Sequence, residues 1–228
     1  MDPNLAEAHA SLGAVHFFGE RNFEAAERAF ERSLQLNNHY ATGHQWYAIA
    51  LSENGRHTEA REHAEAAVEA DPLNGVMHQA LGLVRYYARD FDTAQKAERR
   101  ALELNSQLPL ARVVLAKALI MTNRASDALV ALEQTADANN LDFRLMKAIA
   151  HTRAADQASA NRIIRAIEAQ SPRPDDILIQ WHAAMGRHDT ALDLMRARRH
   201  VNQGVMAVLQ VDPLFEKFRA DPRFAVSP

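Results

Sequence analysis

Apolar residues along the chain return at steps of three and four within short segments, and nowhere alternate with polar ones at a step of two. One side of an α-helix repeats about every 3.6 residues, whereas a strand turns alternate residues to opposite faces. The pattern therefore predicts amphipathic helices and no sheet. A longer period is laid over it. Alanines followed four residues later by a mostly apolar residue recur at Ala26, Ala60, Ala94, Ala128, Ala160 and Ala191, at intervals of 34, 34, 34, 32 and 31. A second series precedes the first four: His9-x-x-Leu12-Gly13, His44-x-x-Tyr47-Ala48, His78-x-x-Leu81-Gly82 and Arg112-x-x-Leu115-Ala116. Each unit is a pair of helices. Turn residues fall at Gly55, Asn123 and Gly186 inside units. Between units they fall at Asp71-Pro72, Asn105-Ser106, Asn139-Asn140 and Ser171-Pro172-Arg173-Pro174. The small residues Gly13, Ala48, Gly82 and Ala116, set against the alanine series, allow paired helices to approach to about 8 Å instead of 10 Å.

A period of about 34 with this Leu-Gly, Ala-x-x-x-Phe (Ala26 to Phe30) and Pro (Pro72) spacing resembles the tetratricopeptide-repeat (TPR) family. The resemblance implies an all-α, right-handed superhelical solenoid of about six helix pairs, near residues 6–38, 41–74, 75–108, 109–140, 141–171 and 172–205, with residues 206–228 as a C-terminal helical cap. Unit one departs by one extra residue in its turn, Gly19-Glu20-Arg21-Asn22, and units five and six lack the Leu-Gly pair. Asp2-Pro3-Asn4-Leu5 matches the closing turn of a preceding unit, so a longer parent protein is expected. The tail has two Asp-Pro helix starts, Asp212-Pro213 and Asp221-Pro222, and apolar phenylalanines at Phe215, Phe218 and Phe224. It is expected to cap the last repeat. It is similar to a segment that closes such arrays in bacterial multidomain regulators with an N-terminal cyclase, kinase or winged-helix domain, which points to signalling.

Composition removes several function classes. There is no cysteine, hence no disulfide framework, thiolate metal site or cysteine nucleophile, and a reducing, cytoplasmic setting is expected. The longest apolar run, Leu108 to Met121, is interrupted by Arg112 and Lys117, so no membrane span is expected. Basic and acidic residues number 13 and 19 up to Asn140, and 13 and 10 from Leu141 onward. That split can polarise partner binding, although exposed charges are screened over about 10 Å at moderate salt.

Candidate chemistry is sparse. His9, His44 and His78 recur at one place in consecutive units, roughly 10 Å or more apart, too far to share an ion that reaches about 2 Å to each ligand. They are expected to fill a structural slot. His57 and His63 flank Glu59 and Glu62 without the spacing of a helical zinc motif. Asp175-Asp176 follows Pro174 as first-turn helix residues, and Arg196, Arg198, Arg199 and His200 close a helix. No nucleophile elbow, phosphate loop or dinucleotide fingerprint occurs, so neither catalysis nor a cofactor is expected. Nucleic-acid binding is not expected either, since no face alternates cations with aromatics. Arg85 and Glu98 are polar at two normally apolar positions of unit three, and an ion pair between them is predicted.

In a helix-pair array the first helix of each pair lines the concave side. The inward stripe is expected at Gln45, Ile49 and Ser52, then Gln79, Leu83 and Tyr86, then Val113, Lys117 and Met121. Its occupant would be a protein or peptide, anchored by Ile49, Leu83, Tyr86 and Met121 and hydrogen-bonded by the glutamines and Lys117. Ala10, Ala14, Ile49 and Gln79 stand where family members that hold a chaperone's C-terminal carboxylate need polar clamps, so that partner is not expected. Association with a second copy, or packing against another domain of the parent chain, stays open as the alternative.

Overall fold

The computed structural model describes residues 5–133, 140–197 and 202–224. Asp2-Pro3-Asn4, Asn139 and the Arg198-Arg199-His200 run lie outside the described residues. Among the described residues there is no strand. The helices are α1 (Ala6–Ala14), α2 (Phe23–Leu36), α3 (Ala41–Glu53), α4 (His57–Ala70), α5 (Gly75–Tyr87), α6 (Phe91–Leu104) and α7 (Pro109–Met121). They continue as α8 (Ala125–Glu133), α9 (Leu141–Arg153), α10 (Gln157–Glu168), α11 (Asp175–Ala184), α12 (His188–Arg196), α13 (Gln203–Val211) and α14 (Glu216–Arg219). The all-α helix-pair architecture expected above is the one observed.

The chain divides into two compact units, residues 1–114 and 115–228. In the first, α1 packs on α2, α3 on α4 and α5 on α6, and neighbouring pairs join through α2 with α3, α4 with α5, and the first helices α1, α3 and α5 in succession. In the second, α9 packs on α10 and α11 on α12, α8 joins α9, and α9 touches α11. The closing elements α13, Pro213–Phe215 and α14 pack on α11.

Local chemistry sets the helix ends. Asn22, Asn74, Asp90, Asn140, Asp156 and Asn202 each accept a hydrogen bond from a backbone N–H one to three residues into the helix that follows, satisfying donors that have no partner inside the helix. Each pair turns through one residue in the left-handed region: Arg21, Gly55, Arg89, Asn123, Ala155 and Gly186. Each of these precedes its alanine of the periodic series by five. In five pairs the turn closes with a backbone bond reaching back five residues: Arg56 to Leu51, Asp90 to Arg85, Arg124 to Leu119, Asp156 to His151 and Arg187 to His182. In the first pair the bond runs from Asn22 to His16, one residue longer. The extra residue is absorbed as a π-helical turn at Val15–Gly19, just upstream of where the sequence placed it.

Contact between paired helices rests on small side chains. All six alanines of the series are fully buried. A Cβ added to Gly13 would stand 2.6 Å from the Phe30 ring, so the ring lies directly on the glycine backbone. From there an apolar interior of Phe17, Phe30, Tyr47, Leu51 and Val84 runs across the first three pairs, with the Phe30 and Tyr47 rings stacked at 5.5 Å.

Unit three fills the equivalent slot differently, and here the expected Arg85–Glu98 ion pair is not found. Glu98 is fully buried against Gly82, where a Cβ would stand 2.4 Å from its Oε1, and neither carboxylate oxygen has a hydrogen-bond partner. Arg85, one turn further along α5, instead reaches the half-exposed rim and pairs with Glu65 of α4 and with Asp90 at 3.2 Å. Carboxylates still in contact with water satisfy the guanidinium without stripping both charges of solvent. Burial pushes the Glu98 carboxyl well above the usual carboxylate range, so it is held as a neutral acid.

Two outcomes follow. Ala155 at φ 63° carries a Cβ in a region that glycine occupies freely. Ala155→Gly should raise stability by about 0.5 to 1 kcal/mol in urea denaturation. The folded chain keeps the Glu98 proton, whereas the unfolded chain releases it above about pH 4.3, so this group withdraws stability as pH rises from there towards its folded value. Glu98→Met should remove that pH-dependent loss and raise stability near pH 7.5 by about 1 to 3 kcal/mol. Denaturation midpoints of both chains at pH 5 and pH 7.5 check it.

Candidate binding surface

The nine stripe residues lie on α3, α5 and α7, but few are open. Ser52 and Tyr86 are fully buried, Gln45, Ile49, Leu83 and Val113 nearly so, and Gln79, Lys117 and Met121 are half-buried. In the first unit the cause is the direct contact of successive first helices, which cover each other's inner stripes. Tyr86 accordingly packs its ring at 5.7 Å from both Tyr87 and Phe91.

Lys117 is engaged by the chain itself. Its ammonium donates to Asp212 Oδ2 at 2.7 Å, and Asp212 is completely buried. Asp212 also caps the turn at Pro213–Phe215 through its other oxygen, which accepts from the Leu214 N–H at 2.9 Å. Arg219 donates to the carbonyls of Leu209 and Asp212, closing the segment on itself. Phe215 and Phe218 are buried. Beyond them Asp221 takes contacts from His188 of α12 and from Arg223, whose guanidinium holds the Asp221 carboxyl far below the usual range. The tail thus covers the last pair and reaches back to α7. Sequence reasoning missed this second contact; its one signal was a lone lysine in the apolar α7.

Where Met121 was expected to face a partner, a cleft of about 190 Å³ remains. Its walls are the last turns of α7, α9 and α11 (Ile120, Met121, Asn123, Arg153, Ala183, Ala184, Gly186) and the tail residues Pro213, Leu214, Glu216 and Lys217.

The repeated histidine position has a structural task. His44 Nε2 donates to the Asn38 carbonyl at 3.0 Å, His78 Nε2 to the Pro72 carbonyl at 2.9 Å, and Arg112 Nη2 to the Ser106 carbonyl at 2.8 Å. Three consecutive units therefore tie the start of the first helix to the turn six residues before it. With its Nε2 proton so committed, neutral His44 presents a bare Nδ1, which accepts from His63 Nδ1–H at 2.8 Å. The Tyr47 ring lies 4.6 Å from His63, and its hydroxyl donates to Glu27 at 3.0 Å. Arg56 joins Glu27 and Glu59 at the edge. Burial, and after it the repulsion that a second protonated ring at His44 would exert, brings His63 down to about 4. No group of three or more His, Cys, Asp or Glu side chains able to hold a metal occurs among the described residues. No helix there is long and apolar enough to cross a membrane.

The comparisons with known proteins agree with this geometry. One model described as tetratricopeptide repeat matches residues 17–83 and a second matches residues 80–143. Anaphase-promoting complex subunit 3 of Schizosaccharomyces pombe is 30% identical over 154 residues, 64% of this chain and 23% of that protein. The chain therefore spans under a quarter of that curated relative. A thermophilic TPR protein of Thermus thermophilus, TTC0263, superposes with a TM-score of 0.67 at 17% identity, over 79% of this chain and 98% of that one. YrrB, described as a TPR protein with an unusual peptide-binding site, superposes with a TM-score of 0.55 at 19% identity, over 75% and 89% of the two chains. The chain is thus built of tetratricopeptide repeats, a class whose members generally serve as protein-interaction scaffolds.

His63 gives a pH dependence opposite in sign to that of Glu98. The unfolded chain takes up this proton near pH 6.5, and the folded chain only near 4, so stability is lost as pH falls through that window. His63→Phe should flatten the loss, read from melting temperatures between pH 7 and pH 4.5.

Proposed function

We propose that the chain is a non-catalytic interaction scaffold whose first-helix surface takes a protein or peptide, and that it works as a regulatory module within a larger bacterial signalling protein. The observation that carries the binding reading is the side-by-side contact of successive first helices. In the first unit that contact leaves Gln79 half-buried on α5, and in the second unit Met121 is half-buried on α7, with no convergent acid, base and nucleophile among the described stripe residues. A peptide laid on such helices meets hydrogen-bonding and apolar groups already ordered by the fold, which lowers the entropy lost on binding. The signalling role is supported by the resemblance of the two-Asp-Pro tail to segments that close repeat arrays in multidomain regulators. A cytoplasmic setting accords with the lack of cysteine.

The alternative, self-association or packing on another domain of the parent chain, draws support from Leu5, Val15 and Phe18, all exposed at the first helix and its π-helical turn. Light scattering tests the self-association arm, since a monomer has a mass of 25.5 kDa.

The partner reading is tested with immobilised full-length chain and lysate from its source organism. Gln79→Arg should lower recovery of a specific bound protein at least ten-fold while leaving the helical circular dichroism unchanged. Equal recovery by both chains removes the first-helix surface from consideration.

A further inference from the structure

The cleft beneath the tail has a composition that selects its occupant. Its inner wall is apolar, made by Ile120 and Met121 from α7 and Ala183 and Ala184 from α11, with Pro213 and Leu214 closing the other side. At about 190 Å³ it has room for one large side chain and little more. Three charged residues line it: Arg153 in the last turn of α9, Lys217 of α14, and Glu216 beside Lys217. Arg153 and Lys217 are exposed, and neither forms an ion pair or side-chain hydrogen bond with any described residue. The rim therefore carries two uncommitted cations against one carboxylate. The last turn of the 13-residue α9 by itself favours a cation at Arg153, whereas α14, with 4 residues, is too short for a comparable field at Lys217. The surroundings have the same sign, with 13 basic and 10 acidic residues from Leu141 onward.

The tail shows what this surface recognises. In Asp212-Pro213-Leu214 a carboxylate is taken by Lys117 at 2.7 Å, and an apolar side chain two residues later forms part of the cleft wall. The same pairing of negative charge and apolar bulk is what the empty half of the cleft complements. Resting on the scaffold reading above, we propose that this cleft is a docking pocket for an acidic protein segment. One apolar side chain of that segment fills the space between Met121, Ala184 and Leu214, and a neighbouring carboxylate is held by Arg153 and Lys217. Charge attraction at an exposed rim raises the association rate and the salt dependence, and burial of the apolar side chain supplies the affinity.

The test uses the full chain and fluorescein-labelled peptides of three kinds: acidic-apolar (Asp-Glu-Leu-Phe-Asp-Glu), acidic-polar (Asp-Glu-Ser-Ser-Asp-Glu) and basic-apolar (Lys-Lys-Leu-Phe-Lys-Lys). Fluorescence anisotropy should show saturable binding of the acidic-apolar peptide alone, weakening as salt is raised. Arg153→Glu with Lys217→Glu should reduce that affinity at least ten-fold. Both residues are exposed, so the melting temperature of the double variant should match that of the parent. Ala184→Phe, which fills the cleft without touching the charges, should give a comparable loss. Unchanged affinity in either variant, equal binding of the acidic-polar peptide, or preference for a single-stranded oligonucleotide over the peptides overturns the assignment. If no peptide binds while the lysate partner is still captured through Gln79, the cleft is excluded and the scaffold reading stands. Loss of that capture in the wild-type chain defeats the scaffold reading itself.

Discussion

Everything in this molecule depends on how closely the two helices of a pair can approach. A methyl group at each of six periodic positions, with glycine or alanine opposite in four of them, brings helix backbones near enough for a side chain as large as Phe30 or Glu98 to lie across the partner helix. Phe30 over Gly13 is the plain case. The stack can then lengthen by adding pairs, because each pair offers its neighbour the same kind of surface. No single central core is needed, and the inner residues of one first helix are covered mainly by the next.

The same constraint makes exceptions visible. Glu98 occupies the place of a ring and must fit a notch shaped by Gly82, with no polar group in reach. Its only comfortable form there is the neutral acid. His63 meets a related difficulty one pair earlier and resolves it by sharing a proton with His44 beneath the Tyr47 ring. Two titratable groups in adjacent pairs, one buried and one half-buried, therefore pull the pH dependence of the first unit in opposite directions. Its stability should be greatest where His63 is already neutral and Glu98 has not yet been forced to ionise.

Features set by neighbours in sequence were legible before any coordinates. The alanine period and half of the tight turns could be read from residue type alone. Gly55, Asn123 and Gly186 announce a left-handed residue, whereas Arg21, Arg89 and Ala155 do not, because their side chains carry no preference for it. Only the period locates those three. The binding surface was less legible because exposure is decided by distant segments. Counting along α5 puts Tyr86 on the expected inner stripe but cannot show that Tyr87 and Phe91 enclose it. Likewise, Arg85 and Glu98 were recognisable as anomalies, but which way each side chain turns is settled by Gly82 and Glu65, not by their mutual spacing.

The bond between Lys117 and Asp212 spans 95 positions in a molecule whose other packing is largely between adjacent helices. Pairs in the first unit can consolidate as soon as their own two helices have been made, much as a zipper closes behind its slider. The second unit shares that freedom within α9–α10 and α11–α12 but not where α7 meets the tail. An ammonium on α7 must wait, solvated, until synthesis has passed Asp212 before it can be enclosed, so the ribosome is well past α12 when that contact first becomes able to form.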